Sequence, residues 1–227
     1  MCWTTRSSIC SRRSGVRTTC KAHRSLAFFD MELPLEGATH KEPGQCMLSP
    51  KVEARMLQDL HIKKHETVLE IGSGSGFMAA LLAHRAAQVL TLEIDPGLAA
   101  VAAENLRRNG VSNVEVRNAD GSVPLASGPT FDVIVLSGSV ARLPQGLMGS
   151  LKMGGRLAAI VGDEPMMRAH FVTRVGEGKW DITQRGTRSC RACSTSRRPR
   201  ASSSDGRPSP PPPGWPTGSP SMRPRHR

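Results

Sequence analysis

Residues 69–77 read Leu-Glu-Ile-Gly-Ser-Gly-Ser-Gly-Phe, so Gly72, Gly74 and Gly76, with Ser73 between the first two, follow directly on an apolar run over 67–71. Alternating glycines let the backbone adopt φ > 0 and approach a ligand with no Cβ in the way, and a helix starting at Phe77 offers unpaired N–H groups beside them. This is the chemistry of a nucleotide-cofactor loop. A dinucleotide fingerprint needs its third glycine at position 77, where Phe77 stands. Glu70, two residues before the first glycine, suits a cationic amino-acid group better than a pyrophosphate. A second acid, Glu93, ends the next apolar run, 89–94, about 20 residues past the glycines, where a carboxylate can take two ribose hydroxyls. Asp120-Gly121 follows a third run over 114–116. No Ser/His/Asp or Cys/His arrangement accompanies these residues: His40, His61, His65, His84 and His170 are scattered.

The elements that must position these residues alternate regularly. Ser49 can cap a helix with Pro50 at its first position, and Val52, Met56, Leu57 and Leu60 fall on one face of it. A strand over 67–71, a helix over 77–84, a strand over 89–94 and a helix over 98–108 follow, the last ended by Asn109-Gly110. Next come a strand over 114–116, an apolar strand over 131–136, a short helix over 145–151, a turn at Gly154-Gly155 and a strand over 156–161. Such alternation predicts an α/β fold with a doubly wound, mainly parallel, Rossmann-like sheet and its ligand at the carboxyl ends of the strands.

Composition divides the chain. Its 227 residues carry a net charge of +12, which suggests a nucleic-acid partner. Yet residues 25–182 hold 15 Lys+Arg against 18 Asp+Glu, a net of −3, so the whole excess lies in residues 1–24 and 183–227. The central stretch is therefore expected to be a mildly acidic cytoplasmic domain that binds neither nucleic acid nor membrane. The outer stretches hold five of the six cysteines and lack apolar periodicity, and the second carries a Pro-rich run at 208–213. Cys190-Arg-Ala-Cys193 supplies two of the four ligands that structural zinc needs, so no metal is expected.

Several stretches taken together resemble known families. Glu70 with its glycines is similar to motif I of the S-adenosylmethionine-dependent methyltransferases. Residues 68–83 (VLEIGSGSGFMAALLA), 113–121 (NVEVRNADG), 131–138 (FDVIVLSG) and 151–162 (LKMGGRLAAIVG) resemble, in order and spacing, the protein-L-isoaspartate O-methyltransferase family. The resemblance covers roughly 25–182 and implies a class I methyltransferase fold with S-adenosyl-L-methionine as cofactor. It also implies a monomer that acts on proteins or peptides carrying isoaspartyl residues. Residue by residue, Glu70, Gly72, Ser73, Gly74, Gly76, Glu93, Asp120 and Gly121 would hold the cofactor, with Glu93 on the ribose hydroxyls and Asp120 on the adenine amino group. On the substrate side the family has Gly-Gln followed by Thr-Ile-Ser-Gln-Pro, whereas residues 44–50 here read Gly-Gln-Cys-Met-Leu-Ser-Pro. Leu48 stands at the serine position and Ser49 at the glutamine position. Gln45 and Ser49 remain the substrate-side candidates, a different acceptor or an inactive cofactor binder is the alternative, and the catalytic group stays unassigned.

The two outer stretches have a second explanation in the genetic code. Written as codon families and read one frame over, the residues after Gly186 permit Asp-Thr-Val-Val-Pro-Arg-Leu-Leu-Asn-Phe, and those from Cys2 permit an amphipathic helix. Residues 1–24 and 183–227 are thus expected to be either disordered or out-of-frame translation of a GC-rich gene, leaving the domain incomplete at both ends. Sequencing the coding DNA tests this directly: stop codons in the shifted frame within residues 2–20 or 187–203 would rule out the frame-shifted origin.

Overall fold

A computed structural model describes residues 29–39, 45–122, 130–163 and 166–186. Two short strands, β1 (Leu33–Pro34) and β2 (Cys46–Met47), pair antiparallel ahead of helix α1 (Pro50–Leu60). Then follow β3 (Thr67–Ile71), α2 (Phe77–Ala83), β4 (Gln88–Glu93), α3 (Pro96–Arg108), β5 (Val114–Asn118), β6 (Phe131–Val140), α4 (Gln145–Gly149), β7 (Leu151–Val161), β8 (Arg168–Gly176) and β9 (Lys179–Gly186). Strands β3 to β9 form one sheet in the order β5-β4-β3-β6-β7-β8-β9. The first five run parallel, and β8 and β9 are antiparallel additions. The chain winds outward from β3 through β4 to β5 and then restarts at β6 on the other side of β3. The β3/β6 boundary is therefore the switch point where such sheets open a crevice at their carboxyl ends.

Alternation along the strands explains both layers of the core. Val68 and Glu70 on β3 point the same way as their register partners Val133 and Val135 on β6 and Val89 and Thr91 on β4. On that face the apolar members pack with Met56 and Leu60 of α1 and Phe77 and Leu82 of α2. Leu69, Ile71, Ile134, Leu136 and Leu157 point the other way and pack with Leu147 and Met148 of α4. Because a parallel strand is covered on both sides, 133–136 of β6 is an unbroken apolar run in which every residue is buried.

Charge anchors the opposite, amino end of the sheet. Asp132 accepts from the Thr67 amide (2.8 Å), the Thr67 hydroxyl (2.9 Å) and Lys152 Nζ (2.8 Å), joining β3, β6 and β7. Glu66, just before β3, takes both Nη atoms of Arg156 on β7 at 3.1 and 2.7 Å. Burial works to raise both carboxyls, but these bonds prevail, holding Glu66 below the usual range and Asp132 down to about 2.

The expected doubly wound, mainly parallel architecture is present, with local differences. Helix α3 begins at Pro96 because Asp95 Oδ1 accepts from the Leu98 amide at 3.0 Å and fixes the cap two residues early. Ser49 does occupy the cap of α1, with Pro50 behind it, yet its hydroxyl makes no capping bond. The expected turn at Gly154-Gly155 is absorbed into β7. Register there jumps from Phe131–Leu151 to Val133–Arg156, with Gly154 at φ 74° taking up the extra length. The hairpin β8–β9, turning through Gly178 at φ 61°, was not anticipated, and β9 runs to Gly186, four residues beyond the boundary placed at 182. Residues 1–24 and 187–227, and with them Cys190 and Cys193, lie outside the described residues.

The core makes a measurable contrast. Ile134→Ala in β6 removes a side chain with 0% exposure and is expected to cost about 2–5 kcal/mol in urea unfolding. Ile182→Thr on β9, where the side chain is 46% exposed, should cost no more than about 0.5 kcal/mol.

Candidate active site

The glycine loop is held by its neighbours on every side. Gly72, Gly74 and Gly76 have φ of 92°, 52° and 81°. The Gly72 amide donates to the Leu92 carbonyl at 2.8 Å and the Gly76 amide to the Ser73 carbonyl at 2.7 Å, closing a tight turn between β3 and α2. A Cβ on Gly76 would stand 3.1 Å from the Ala102 carbonyl oxygen and 3.3 Å from its Cα, so glycine here lets α3 pack against the loop. The Ser73 and Thr91 hydroxyls share a 2.8 Å bond, and Asn105 Nδ2 donates to the Ser75 carbonyl at 2.9 Å. From above, Leu35 lies over Gly74, its Cδ1 3.2 Å from where a Cβ would stand, and Ser75 Oγ donates to Met47 Sδ at 3.5 Å. The segment carrying Leu35 is tied down at Thr39, whose amide donates to both Asp95 carboxylate oxygens at 2.9 Å.

Glu93 closes β4 beside the loop. Its Oε2 accepts from the Gly74 amide at 2.9 Å and its Oε1 from the Asp95 amide at 3.2 Å. Each carboxylate oxygen keeps a second lone-pair direction, so the group can fix the loop and still accept two hydroxyls. Asp120 arrives from β5 next to it: the Ala119 amide and Asn118 Nδ2 both donate to the Glu93 carbonyl, at 2.9 and 2.8 Å. Asp120 itself is exposed and accepts from the Ser122 amide at 2.8 Å, an Asx turn. Gly121 is buried where a Cβ would come within 2.5 Å of Ile71, which brings this turn over the end of β3.

Glu70 is fully buried at the switch point. Ser137 Oγ, from β6, donates to its Oε1 at 2.6 Å, while Oε2 is buried without a partner among the described residues. Burial pushes this carboxyl up, bonds from Ser137 and Thr91 partly offset it, and the charge of Glu93 adds to the rise, leaving it at about 7. Glu53 of α1 is also buried, and it had not been singled out. Burial first and the charge of Glu70 second push it well above the usual carboxylate range. Its signal was present in the sequence: Glu53, Met56, Leu57 and Leu60 follow the i, i+3, i+4, i+7 spacing of a buried face, with an acid at the first position.

The structure therefore gathers Glu70, Gly72, Ser73, Gly74, Gly76, Glu93, Asp120 and Gly121 at the carboxyl ends of β3, β4 and β5. On the substrate side, the Gln45 carbonyl accepts from the Leu35 amide at 3.0 Å, and Gln45 and Ser49 are both half-buried. Leu48, at 2% exposure, is packed into the core and presents no polar group. Gly44 lies outside the described residues. The features that this set offers are a glycine loop with backbone donors, an acid with spare lone pairs beside it and a buried carboxylate oxygen lacking a countercharge. They match the hydroxyl-bearing ribose and the cationic amino-acid end of S-adenosylmethionine, so the residues fit that cofactor.

The buried acids give the unliganded protein a distinctive pH profile. Raised pKa values mean that the stability contributed by protonated Glu53 and Glu70 is fully present below about 4.5 and is lost as pH rises, through about 7 for Glu70. Glu66 and Asp132 act in the opposite sense: their carboxyls are held low, so their contribution is present at neutral pH and is lost as pH falls below the usual carboxylate range, through about 2 for Asp132. Thermal melts without ligand are therefore expected to show Tm falling by several degrees between about pH 5 and pH 8, and Glu70→Gln to flatten that fall. A fall of the same size in the variant would contradict the assignment.

Comparison with known proteins agrees with this geometry. The chain is 41% identical over 137 residues to a protein-L-isoaspartate O-methyltransferase of Methanoculleus marisnigri, covering 60% of each chain. To that of Koribacter versatilis it is 40% identical over 141 residues, covering 62% of this chain and 63% of the relative. It thus spans about 60% of the length of the curated relatives it matches. In fold it is similar to a Plasmodium falciparum beta-aspartate methyltransferase (PCMT) solved in complex with S-adenosyl-L-homocysteine, at TM-score 0.68 and 16% identity, covering 84% of this chain and 90% of that one. The model of the family described as protein-L-isoaspartate(D-aspartate) O-methyltransferase (PCMT) matches residues 19–191. With that match spanning most of the sequence, and the glycine loop and its flanking acids assembled at the switch point, the chain belongs to the protein-L-isoaspartate(D-aspartate) O-methyltransferase family.

Proposed function

We propose that this protein transfers a methyl group from S-adenosylmethionine to the side-chain carboxylate of isoaspartyl residues in damaged proteins, as a cytoplasmic monomer. The observation that carries the reading is the Glu93 carboxylate, bonded at once to the Gly74 amide and to the Asp95 amide beside buried Glu70, in a chain of this family. When bound, the cofactor supplies a sulfonium methyl open to in-line displacement. A carboxylate acceptor is ionised at neutral pH, so the protein needs no general base to activate it. Its work is positioning. With the cofactor bound, Glu93 would hold the ribose, the 72–76 backbone would line the amino-acid portion, Asp120 would meet the adenine edge, and Leu35 and Met47 would keep water from the loop. Holding two reactants in line in this way is worth roughly 7–11 kcal/mol of barrier.

A second reading rests on Leu48. At the position of the family's serine the chain presents an apolar, buried side chain, which supports a methyltransferase with another acceptor, or a cofactor binder without turnover. A methyl-transfer assay on an isoaspartyl peptide separates the two: methylation at the isoaspartyl carboxylate supports the first, and cofactor binding with no methylated peptide supports the second.

The cofactor assignment has its own check. Glu93→Ala removes an acceptor of two hydroxyls and is expected to weaken S-adenosylhomocysteine binding by about 2 kcal/mol or more, roughly thirtyfold, in titration calorimetry. Unchanged affinity would remove Glu93 from the ribose site.

A further inference from the structure

Glu53 and Glu70 place two buried acids on one face of the sheet. Glu70 shares its side of β3 with Val68, and Val68, Val133 and Val135 pack in the same cluster as Met56 and Leu60 of α1, the helix that carries Glu53. Oε2 of each acid is buried and has no hydrogen-bond partner among the described residues. No ion pair of the described residues reaches either acid: Arg55 and Arg185 pair with Asp59, Arg107 and Arg108 with Glu104, Arg117 with Glu115, Lys152 with Asp132 and Arg156 with Glu66. The charge of Glu70 acts on Glu53, while the Glu93 carboxylate from β4 and the hydroxyls of Ser137 and Thr91 act on Glu70. Two ionised carboxylates without a countercharge are too costly to bury, so the free protein must hold a proton there, and a bound cation must replace it.

The cation has a recognisable chemistry. Among the described residues no group of three or more acidic, histidine or cysteine side chains is placed to hold a metal ion. Two buried carboxylates, one of them two residues before the glycine loop, suit instead an ammonium, whose three N–H donors can bond several oxygens at once. On the reading that the loop binds S-adenosylmethionine, that ammonium belongs to its methionyl end. We propose that Glu53 and Glu70 form a two-carboxylate receptor for the cofactor's ammonium group, sharing a proton when the site is free and releasing it to solvent when the ammonium binds. Glu53 is thus a second acid at the amino-acid end of the site, and cofactor binding is linked to pH through the pair rather than through Glu70 alone.

Titration calorimetry of the full chain near neutral pH, in phosphate and in Tris, reads the proton directly from the difference in binding enthalpy between the buffers. Wild type is expected to release up to about one proton per S-adenosylhomocysteine bound. Methylthioadenosine, which lacks the amino-acid end, should bind with none released. Glu53→Gln should still bind S-adenosylhomocysteine, roughly tenfold more weakly, with proton release cut to less than about half. Buffer-independent enthalpy for S-adenosylhomocysteine, equal release with methylthioadenosine, or unchanged release in Glu53→Gln would each overturn the paired receptor while leaving the cofactor assignment standing. No binding of S-adenosylhomocysteine to wild type would overturn both. Should Glu53→Gln not fold, Glu53→Met, an apolar side chain of similar size, takes its place in the same titration, with the same reduced proton release expected and unchanged release overturning the pair.

Discussion

The bond from the Gly74 amide to the Glu93 carboxylate joins the last residue of β4 to the middle of the glycine loop. Through its other oxygen the same carboxylate holds the Asp95 amide, and Asp95 in turn caps α3 and receives the Thr39 amide. One buried acid therefore sets the loop against the sheet, the start of the helix that packs on Gly76, and the segment that lays Leu35 over the loop. The glycines supply the conformational permission, but their positive φ values are held by this chain of bonds. Glycine enters this region of backbone space at little steric cost, so these bonds select one of several open conformations, and the groups that make them also belong to the elements that would touch a cofactor.

Much of this was legible in the sequence because parallel strands buried on both faces must be written as apolar runs, and because glycines followed by an apolar helix have few structural uses. The order of strands and helices from Ser49 to Val161 and the cluster around Glu70 and Glu93 followed from that. What remained hidden depended on distant partners. Glu53 shares the apolar spacing of α1, but that the buried face carrying it lies on the side of the sheet that holds Glu70 depends on how α1 packs. Ser137, in a stretch ending in glycine, looked like the start of a loop, whereas β6 continues through it to Val140 with shifted register. The β8–β9 hairpin escaped because its strands are half-exposed and carry charged residues among few apolar ones. The short pairing of Leu33–Pro34 with Cys46–Met47 is too brief to leave a periodic signal at all.

Membership in the family and departure from its substrate-side sequence coexist without conflict. Leu48 is buried among residues of α1, α2 and the central strands, so an apolar side chain there adds to the core where the family's sequence carries a hydroxyl. Among the described residues, the side-chain hydrogen bonds of Glu70 and Glu93 do not involve that position.

The ionic contacts at the amino end of the sheet have a consequence of their own. Asp132 with Lys152 and Thr67, and Glu66 with Arg156, clamp three strands where no ligand is expected. The opposite end is left with an acid whose bonding is incomplete and a loop whose shape only glycine readily adopts. Rigidity and reactivity are thus assigned to opposite poles of the same strands. Residues at one pole can then change while the clamp at the other preserves the register on which the site depends.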